Sequence, residues 1–382
     1  MSLSKKGGTL KESRLGGRSR RSVAVLTTSA ALATGLALVV VSSAGASTSG
    51  VAKATAAIKP YTKAPTTLPI ATALKSRPPK GKTVVYIQCA FPQCQDVAQG
   101  VQAAAHAIGW TYKHLTFDET NPSTLVTAMN QALLYKPTVV SFNAIPESLW
   151  SSVLPAYKRA KVQIVPIETG PTHVAGPVIS AIGDDGAVQG TVLANWAISS
   201  SKGKAHILLV NVPAFALFNG FISSFGKTVK SECPSCAVTA LNATPAEQGA
   251  NAITPAVVAA IQRDPSINYV VATDGVMIPA LPNALKAASI NHVTIGSGLA
   301  TSENEQDIIA GTEQAGMAGN FQYLGWQVVD NEARFLEGMR IGADGGGMPE
   351  ELFLKSNLKK ASESADIPAN FGHLFKKLWR IG

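Results

Sequence analysis

The stretch Ile179-Ser-Ala-Ile-Gly-Asp-Asp-Gly-Ala-Val-Gln-Gly190 changes character in its middle. It begins with apolar residues typical of a buried strand, places Asp184 and Asp185 between two glycines, and ends with residues that favour a helix. An aspartate at a helix start accepts hydrogen bonds from the free N–H groups and suits the helix dipole. The stretch therefore predicts a strand-to-helix junction at which one aspartate caps the helix while the other faces a cleft.

The alternation of strand and helix continues in both directions from this stretch. Short β-branched runs such as Thr83–Gln88 and Val178–Ile182 alternate with helix-length segments such as Gln93–Ile108 and Gly186–Ser199. The strand runs show little polar alternation, which indicates sheets covered by helices on both faces. Because 382 residues are too many for one ordinary core, we predict an α/β fold with two parallel-sheet αβα lobes.

Positive charge is concentrated at the N-terminus. Residues 1–80 contain 13 Lys and Arg and a single acid, Glu12, whereas residues 81–382 contain 20 Lys and Arg against 23 Asp and Glu. The part of the chain predicted to fold is therefore mildly acidic, and we expect no nucleic-acid partner.

Residues 1–46 have the composition of an export signal. Basic residues up to Arg21 precede the apolar segment Val23–Val41, and Ala44-Gly45-Ala46 offers a cleavage site. The apolar segment is near the lower limit for a membrane span, so an uncleaved signal anchor is an alternative, and the choice between general and twin-arginine export stays open. We expect an extracytoplasmic protein. Residues 47–81, rich in Ala, Thr, Pro and Lys, are predicted to form a flexible linker.

Polar and aromatic side chains follow the predicted strands at their carboxyl ends. In an open parallel sheet the ligand lies beyond that edge, where loops and helix N-termini converge. For each carboxylate the simpler role is a helix cap, and for the phenylalanines it is packing at a lobe edge. The candidates are Cys89, Phe91, Gln93, Asp118, Glu119, Asn143, Glu168, Thr169, Asp184, Asp185, Phe215, Phe218, Gln248, Thr273 and Asp274.

The four cysteines form two close pairs, Cys89 with Cys94 and Cys233 with Cys236. In an exported chain both pairs are predicted to be local disulfides. The Cys233-Pro-Ser-Cys236 motif could also be half of a zinc site or a redox motif, but no second ligand pair is visible in the sequence. The first disulfide would constrain the loop after the first strand and so pre-organise a binding wall.

No catalytic signature is present in the sequence. It contains no G-x-S-x-G elbow, no phosphate loop of the G-x-x-x-x-G-K-[ST] type and no H-E-x-x-H motif, and its six histidines are scattered. We therefore predict a protein that is not an enzyme and that uses no cofactor and no metal. An enzyme with an unrecognised site is the alternative.

Several local motifs occur in an order typical of one family. They are Val84-Val-Tyr-Ile87, Gln99-Gly-Val-Gln-Ala-Ala-Ala105, Gly183-Asp-Asp-Gly-Ala-Val-Gln-Gly190, Asn219-Gly-Phe221, Val270-Val-Ala-Thr-Asp274 and Val293-Thr-Ile-Gly296. Over residues 82–340 the chain resembles the type I periplasmic solute-binding proteins of ABC importers. It is similar to the ribose-binding group and to the effector domains of lac-repressor-like regulators.

The resemblance implies two lobes joined by a three-crossing hinge near residues 183, 297 and 317, with Asp184 at the hinge. The first lobe would comprise residues 82–183 and 298–317, and the second residues 184–297 and 318–382. The ligand would be trapped between the lobes when they close.

The resemblance also implies site residues. Asn143, Glu168 and Asp274 occupy positions at which the family binds sugar hydroxyls, whereas Leu217 and Gly298 stand where an Arg and an Asp are usual. We therefore expect a sugar-like ligand or a less polar one, such as an aromatic compound or a modified sugar. The predicted ligand-binding residues are Phe91, Gln93, Asn143, Glu168, Asp185, Phe215, Phe218, Gln248 and Asp274.

The implied function is capture of a small molecule and its delivery to a membrane ABC permease by a monomeric receptor. The alternative with the same fold is a sensory receptor that presents its ligand to a membrane kinase or chemoreceptor.

Overall fold

The computed structural model describes residues 44–362 and 366–382. The predicted export signal lies outside these residues, apart from residues 44–46. Within the described ranges, no helix has both the length and the apolar composition needed to cross a membrane.

The first sheet has four parallel strands in the order β2-β1-β3-β4. They are β1 Thr83–Gln88, β2 Thr111–Thr116, β3 Val139–Asn143 and β4 Gln163–Ile167. A fifth strand was predicted at Val178–Ile182, but only Val178 and Ile182 form bridges to β4. Between them, the N–H of Ala181 donates to the Ala343 carbonyl at 2.8 Å, so this segment also pairs with a loop. The helices of this half are α2 Pro92–Ala107, α3 Ser123–Ala132 and α4 Leu154–Ala160.

The second sheet has six strands in the order β10-β9-β8-β7-β5-β6. All neighbours are parallel except β10, which runs antiparallel to β9. The strands are β5 His206–Asn211, β6 Ala237–Asn242, β7 Tyr269–Ala272, β8 Thr294–Ala300, β9 Ala315–Ala318 and β10 Leu352–Phe353. The helices of this half are α5 Gly186–Ser200, α6 Asn219–Glu232, α7 Pro245–Gly249, α8 Ile253–Arg263, α9 Leu281–Ala287 and α10 Ser302–Ala310. Three further helices are α1 Ala44–Ile58, α11 Phe321–Leu336 and α12 Phe371–Leu378.

Strand pairing and helix packing correct the predicted lobe boundaries after residue 297. Residues 298–317 were assigned to the first lobe, but β8 continues to Ala300 and β9 pairs beside it in the second sheet. Conversely, α11 packs against α2 of the first lobe, where Gly100 and Gly325 allow the two helix backbones to approach closely. The resemblance implied a hinge crossing near residue 297, but Gly298 lies inside β8, against the carbonyl of Thr273.

The segment predicted to be a flexible linker, residues 47–81, is folded, which corrects that expectation. Helix α1 packs on α5 and α6 of the second lobe, and Leu68 and Leu74 are buried further along. Leu74 N–H donates to the Leu378 carbonyl at 2.8 Å, which attaches the segment to the end of α12. No apolar period is visible in residues 59–81 because the coil after α1 buries single side chains instead of a continuous face.

Candidate functional site

Eight of the nine predicted ligand-binding side chains surround one small cavity between the two sheets. Its volume is about 40 Å³, which is little more than one water molecule occupies. The lobes of this structure are therefore closed on the site. We call this space the central cavity, and the eight residues are Phe91, Gln93, Asn143, Glu168, Phe215, Phe218, Gln248 and Asp274.

The polar residues of the central cavity come from strand ends of both sheets. Asn143 is the last residue of β3, Glu168 follows β4, and Asp274 follows β7 after one residue. Carboxyl ends of parallel strands meet at one edge of a sheet, so two facing edges bring these side chains together. Three of the lining residues that are not glycine have left-handed backbones: Ala144 with φ 69°, Glu168 with φ 50° and Leu299 with φ 42°. Strained backbone of this kind is concentrated at functional sites.

A direct hydrogen bond joins the two lobes across the cavity. Gln93, in the first turn of α2, donates from Nε2 to Oδ1 of Asp274 at 3.1 Å. The same Oδ1 accepts the backbone N–H of Val276 at 3.2 Å. Both Gln93 and Asp274 are buried, so this contact forms only when the lobes are closed.

Asn143 is held in one orientation by Tyr86. The Tyr86 hydroxyl donates to Oδ1 of Asn143 at 2.6 Å, inside the first lobe. Because the amide oxygen accepts this hydrogen bond, Nδ2 is the atom of Asn143 that can donate into the central cavity. This arrangement fits a fixed donor on the floor of the central cavity.

Gln248 reaches the cavity from the short helix α7. That helix starts with a capping box, in which Thr244 and Glu247 exchange hydrogen bonds. The Gln248 side chain is 7% exposed, and its Oε1 has no hydrogen-bond partner. A buried acceptor without a donor is costly, so a ligand that donates to it would be favoured.

Phenylalanines form the apolar part of the wall. The rings of Phe215 and Phe218 meet edge to face, with centroids 6.3 Å apart. Phe91 approaches from the loop after β1, which the Cys89–Cys94 disulfide closes. Phe215 and Phe218 are also part of the main hydrophobic core, so packing and cavity lining are combined in the same rings.

Both predicted disulfides are confirmed. Cys89 pairs with Cys94, and Cys233 pairs with Cys236, and no free cysteine occurs in the part of the chain that the structure describes. Only the first disulfide lines the central cavity. The second stabilises the turn between α6 and β6.

The carboxylates of the site are shifted toward their protonated forms. Burial raises the pKa of Asp274 to about 8, with the Glu168 carboxylate adding to the shift. Burial also raises the pKa of Glu168, and Oε1 of that residue has no hydrogen-bond partner. Closing the lobes therefore makes the charged forms of these groups expensive unless a cation or a donor accompanies them.

A larger cavity of about 550 Å³ lies beside the central cavity, at the hinge. The two cavities share Glu168, Leu217, Phe218 and Leu299 as walls. We call the larger space the hinge cavity.

The two aspartates of the opening stretch have different roles. Asp185 caps α5, with Oδ1 accepting the N–H groups of Ala187 and Val188 at 2.9 and 3.1 Å. Asp185 therefore lines the hinge cavity and does not line the central cavity. Both carboxylate oxygens of Asp184 are buried, and the carboxyl of Glu168 is the side chain with which Asp184 can share a proton. Burial, together with the negative charges of Glu350 and Glu168, raises the pKa of Asp184 well above its ordinary value.

A model of the periplasmic binding protein domain matches residues 90–339. The chain belongs to this family. No curated protein matches the sequence. Solved structures with the same fold include the 5-methylthioribose transporter solute-binding protein of Thermotoga lettingae, in complex with 5-methylthioribose. It has a TM-score of 0.66 and 15% identity, covering 82% of this chain and all of that one.

Two further structures share the fold. An ABC sugar transporter subunit of Rhodobacter sphaeroides has a TM-score of 0.63 and 17% identity, with 73% of this chain and 99% of that one covered. A solute-binding protein of Burkholderia graminis, in complex with D-arabinose, has a TM-score of 0.64 and 15% identity, with 73% and 97% covered. The predicted fold class and the predicted family resemblance are thus confirmed.

Sequence reasoning missed several residues of this periplasmic binding protein's central cavity. Phe321, Leu299 and Ala144 also line it. Phe321 is the first residue of α11 and follows β9 closely, so the strand-end rule would have found it if β9 had been placed at Ala315–Ala318. Leu299 lies within β8, beyond the point at which the predicted strand ended. Of the other strand-end candidates, Asp118 is exposed and bonds to Thr120 of its own turn.

Proposed function

We propose that this chain is an extracytoplasmic solute-binding protein whose lobes, held farther apart than in this structure, enclose a small molecule among the residues of the central cavity, and that it delivers this solute to an ABC importer. The observation that carries the proposal is that residues of both lobes converge on one closed cavity, and that the Gln93–Asp274 hydrogen bond spans it. A ligand that touches both lobes stabilises the closed form by its extra contacts there.

The lining supports a solute with one polar and one less polar part. Asn143, Glu168 and Asp274 provide hydrogen-bonding groups, while Leu217 and the phenylalanines provide apolar contact on the second lobe. Solute-binding proteins with this fold have been crystallised with 5-methylthioribose and with D-arabinose. We therefore infer a sugar-like solute or a less polar or aromatic one for this chain.

Export and partner follow from the same proposal. Residues 1–46 would direct export, and the mature chain would begin at Ser47. The two disulfides support an oxidising compartment outside the cytoplasm. The receptor would act as a monomer, and the closed lobes would form the surface that the membrane permease recognises.

A calorimetric titration of the full chain with neutral sugars and small aromatic compounds tests the proposal. We expect saturable binding of one solute per chain, weakened about tenfold or more in Asn143→Ala because that change removes a buried hydrogen bond. Asn121→Ala is the matched control, since Asn121 is exposed on the loop before α3. Absence of binding, together with absence of any solute retained through gentle purification, would contradict the proposal.

A further inference from the structure

We propose that the solute carries a protonated amine, which donates hydrogen bonds to the oxygens of Glu168, Gln248 and Asp274. The apolar body of the solute then packs on the phenylalanines. This inference rests on the proposed function, because it names the class of solute that the central cavity takes.

The charged side chains that line the two cavities are carboxylates. Glu168 and Asp274 line the central cavity, and Asp184, Asp185 and Glu350 line the adjoining hinge cavity. Among the described residues, neither lining includes a lysine, an arginine or a histidine. An anionic solute would meet only like charge, and closure over a neutral one would require the buried carboxyls to take up protons, whereas a cation allows them to stay ionised.

The buried atoms of the two linings that lack a partner share one hydrogen-bonding role. The buried polar atoms of the two linings that lack a partner are Oε1 of Gln248, Oε1 of Glu168 and both carboxylate oxygens of Asp184. All of them are oxygens. When the carboxyls are ionised beside a cation, all of these oxygens accept hydrogen bonds, and an ammonium group offers three N–H donors and no acceptor. A sugar hydroxyl brings one donor together with two acceptor lone pairs, so only part of its hydrogen-bonding capacity would match these oxygens.

Phenylalanines form an apolar wall beside the carboxylates. Phe91, Phe215, Phe218 and Phe321 line the same cavity as the carboxylates. The face of an aromatic ring attracts a cation, and the attraction strengthens when water is excluded, as it is here. An amine with an apolar or aromatic body would therefore use both walls of the cavity, whereas an amine without such a body would leave the phenylalanines uncovered.

Matched pairs of probes test the inference on the full chain. 2-Phenylethylamine and 2-phenylethanol have the same apolar body and differ in the charged donor, and D-ribose and D-arabinose are neutral sugars. We expect the amine to bind at least about tenfold more tightly than the alcohol, as for a charge-assisted hydrogen bond inside a closed cavity. Calorimetry or thermal shift gives the affinities.

Two variants show whether the charge of the site is responsible. Glu168→Gln and Asp274→Asn keep the shape of the side chains but remove the charge, so each should reduce the ratio of amine affinity to alcohol affinity about tenfold or more. The unfolding temperature of each variant without solute shows that it is folded. Asp118→Asn, an exposed carboxylate at the end of β2, is the matched control and should change neither affinity.

The outcomes separate this inference from the proposed function. Preference for the amine, lost in Glu168→Gln, supports the inference. Equal or tighter binding of the alcohol overturns it. Binding of D-ribose or D-arabinose without binding of any amine also overturns it, but leaves the proposed function intact. If no probe binds, the inference is overturned, and the proposed function is then decided by whether a solute is retained through purification.

Discussion

Gln93 of the first lobe and Asp274 of the second are joined by a hydrogen bond of 3.1 Å in the interior of the closed site. The bond satisfies a carboxylate that has lost contact with water, and it exists only in the closed form. It therefore couples lobe closure to the protonation state of Asp274.

Removal of the Gln93 amide should favour the open form. In Gln93→Leu, closure would bury Asp274 with one fewer donor, at a cost of about 1–3 kcal/mol. We expect faster dissociation of a bound solute and a correspondingly weaker affinity, measured by stopped-flow fluorescence. Gln102→Leu is the control, because Gln102 is exposed on the same helix. Identical dissociation rates for both variants would show that the inter-lobe bond does not stabilise closure.

The affinity for a neutral solute should fall as pH rises. Burial raises the pKa of Asp274 to about 8 in the closed form, whereas an open cleft returns the carboxyl to water and to its ordinary pKa near 4. Closure over a neutral solute between about pH 4 and 8 thus takes up a proton. Closure over a cation keeps Asp274 ionised and needs no proton. Titration in buffers of different ionisation enthalpy measures this uptake, and its absence with a neutral solute would contradict the assignment.

The buried carboxyl of Glu332 should make folding stability fall with rising pH. Its two oxygens have no partner within α11 or around it, and burial raises its pKa to about 9, partly offset by the positive charge of Lys82. A folded pKa above the unfolded value means that its stabilisation is complete below about pH 4 and is lost on the way to pH 9. Glu332→Gln should therefore be more stable than the parent at pH 8 by at least about 1 kcal/mol.

Glu337 provides the opposite case one turn further along. Its carboxylate accepts the N–H groups of Lys75 and Ser76 at 2.6 and 2.9 Å. These hydrogen bonds outweigh burial and lower its pKa. Its contribution is therefore present above the unfolded pKa and is lost as pH falls, so Glu337→Gln should be less stable than the parent at pH 7. Urea unfolding at pH 4.5, 7 and 8 measures both variants. If the stability of the two variants relative to the parent changed with pH in the same direction, the distinction between Glu332 and Glu337 would be refuted.

The N-terminal segment should contribute to stability. Leu74 is completely buried, and replacing it with alanine leaves a cavity that costs about 2–5 kcal/mol. Leu134→Ala is the matched control, because Leu134 is 80% exposed and should change stability by less than about 0.5 kcal/mol. Chemical denaturation gives both values. Equal stability of the two variants would restore the interpretation of residues 47–81 as a loose linker.

Close approach of α5 and α6 should depend on Gly190. A Cβ at this position would meet the backbone carbonyl of Phe221, which cannot move without displacing the helix. Gly190→Ala should be destabilising by about 1–3 kcal/mol. Gly226→Ala on α6 has open space around the new Cβ and should be neutral or stabilising by up to about 1 kcal/mol. If thermal unfolding ranks the two variants the other way, the described helix packing is wrong.

The two disulfides should differ in their effect on binding. Cys89 and Cys94 line the central cavity, and their loop positions Phe91. Replacing both with serine should weaken solute affinity in addition to stability. Replacing Cys233 and Cys236 with serine should lower stability alone, since that pair is far from either cavity lining. A loss of affinity in the second variant comparable to that in the first would argue against a pre-organised wall.

The sequence predicted the strand ends well because the physics there is local. Asn143, Glu168 and Asp274 each follow a continuous β-branched run, so the strand-end rule and the family resemblance selected the same residues. The rule was less successful in β8, where Gly298 interrupted the apolar run. A glycine is needed there because Phe221 and the Thr273 carbonyl leave no room for a side chain, and this reason lies in distant parts of the chain.

Contacts between distant segments could not be predicted from the sequence. The binding of Lys75 and Ser76 to Glu337 joins residues more than 250 positions apart, and nothing in the composition of the N-terminal segment indicates it. The same holds for Asp185, which was predicted to bind a ligand. The sequence allowed either aspartate of the pair to cap α5, and only the backbone geometry placed Asp185 on Ala187 and Val188.

The central claim is that two lobes close on a small molecule between Asn143 and Asp274. Small-angle X-ray scattering of the full chain, before and after addition of a saturating solute from the probe panel, tests it most directly. We predict that the radius of gyration decreases on binding in the parent protein and does not decrease in the Asn143→Ala/Asp274→Ala double variant. Stoichiometric binding to the parent protein with no change in the radius of gyration would contradict the account. Binding of the solute to the double variant with the affinity of the parent would also contradict it.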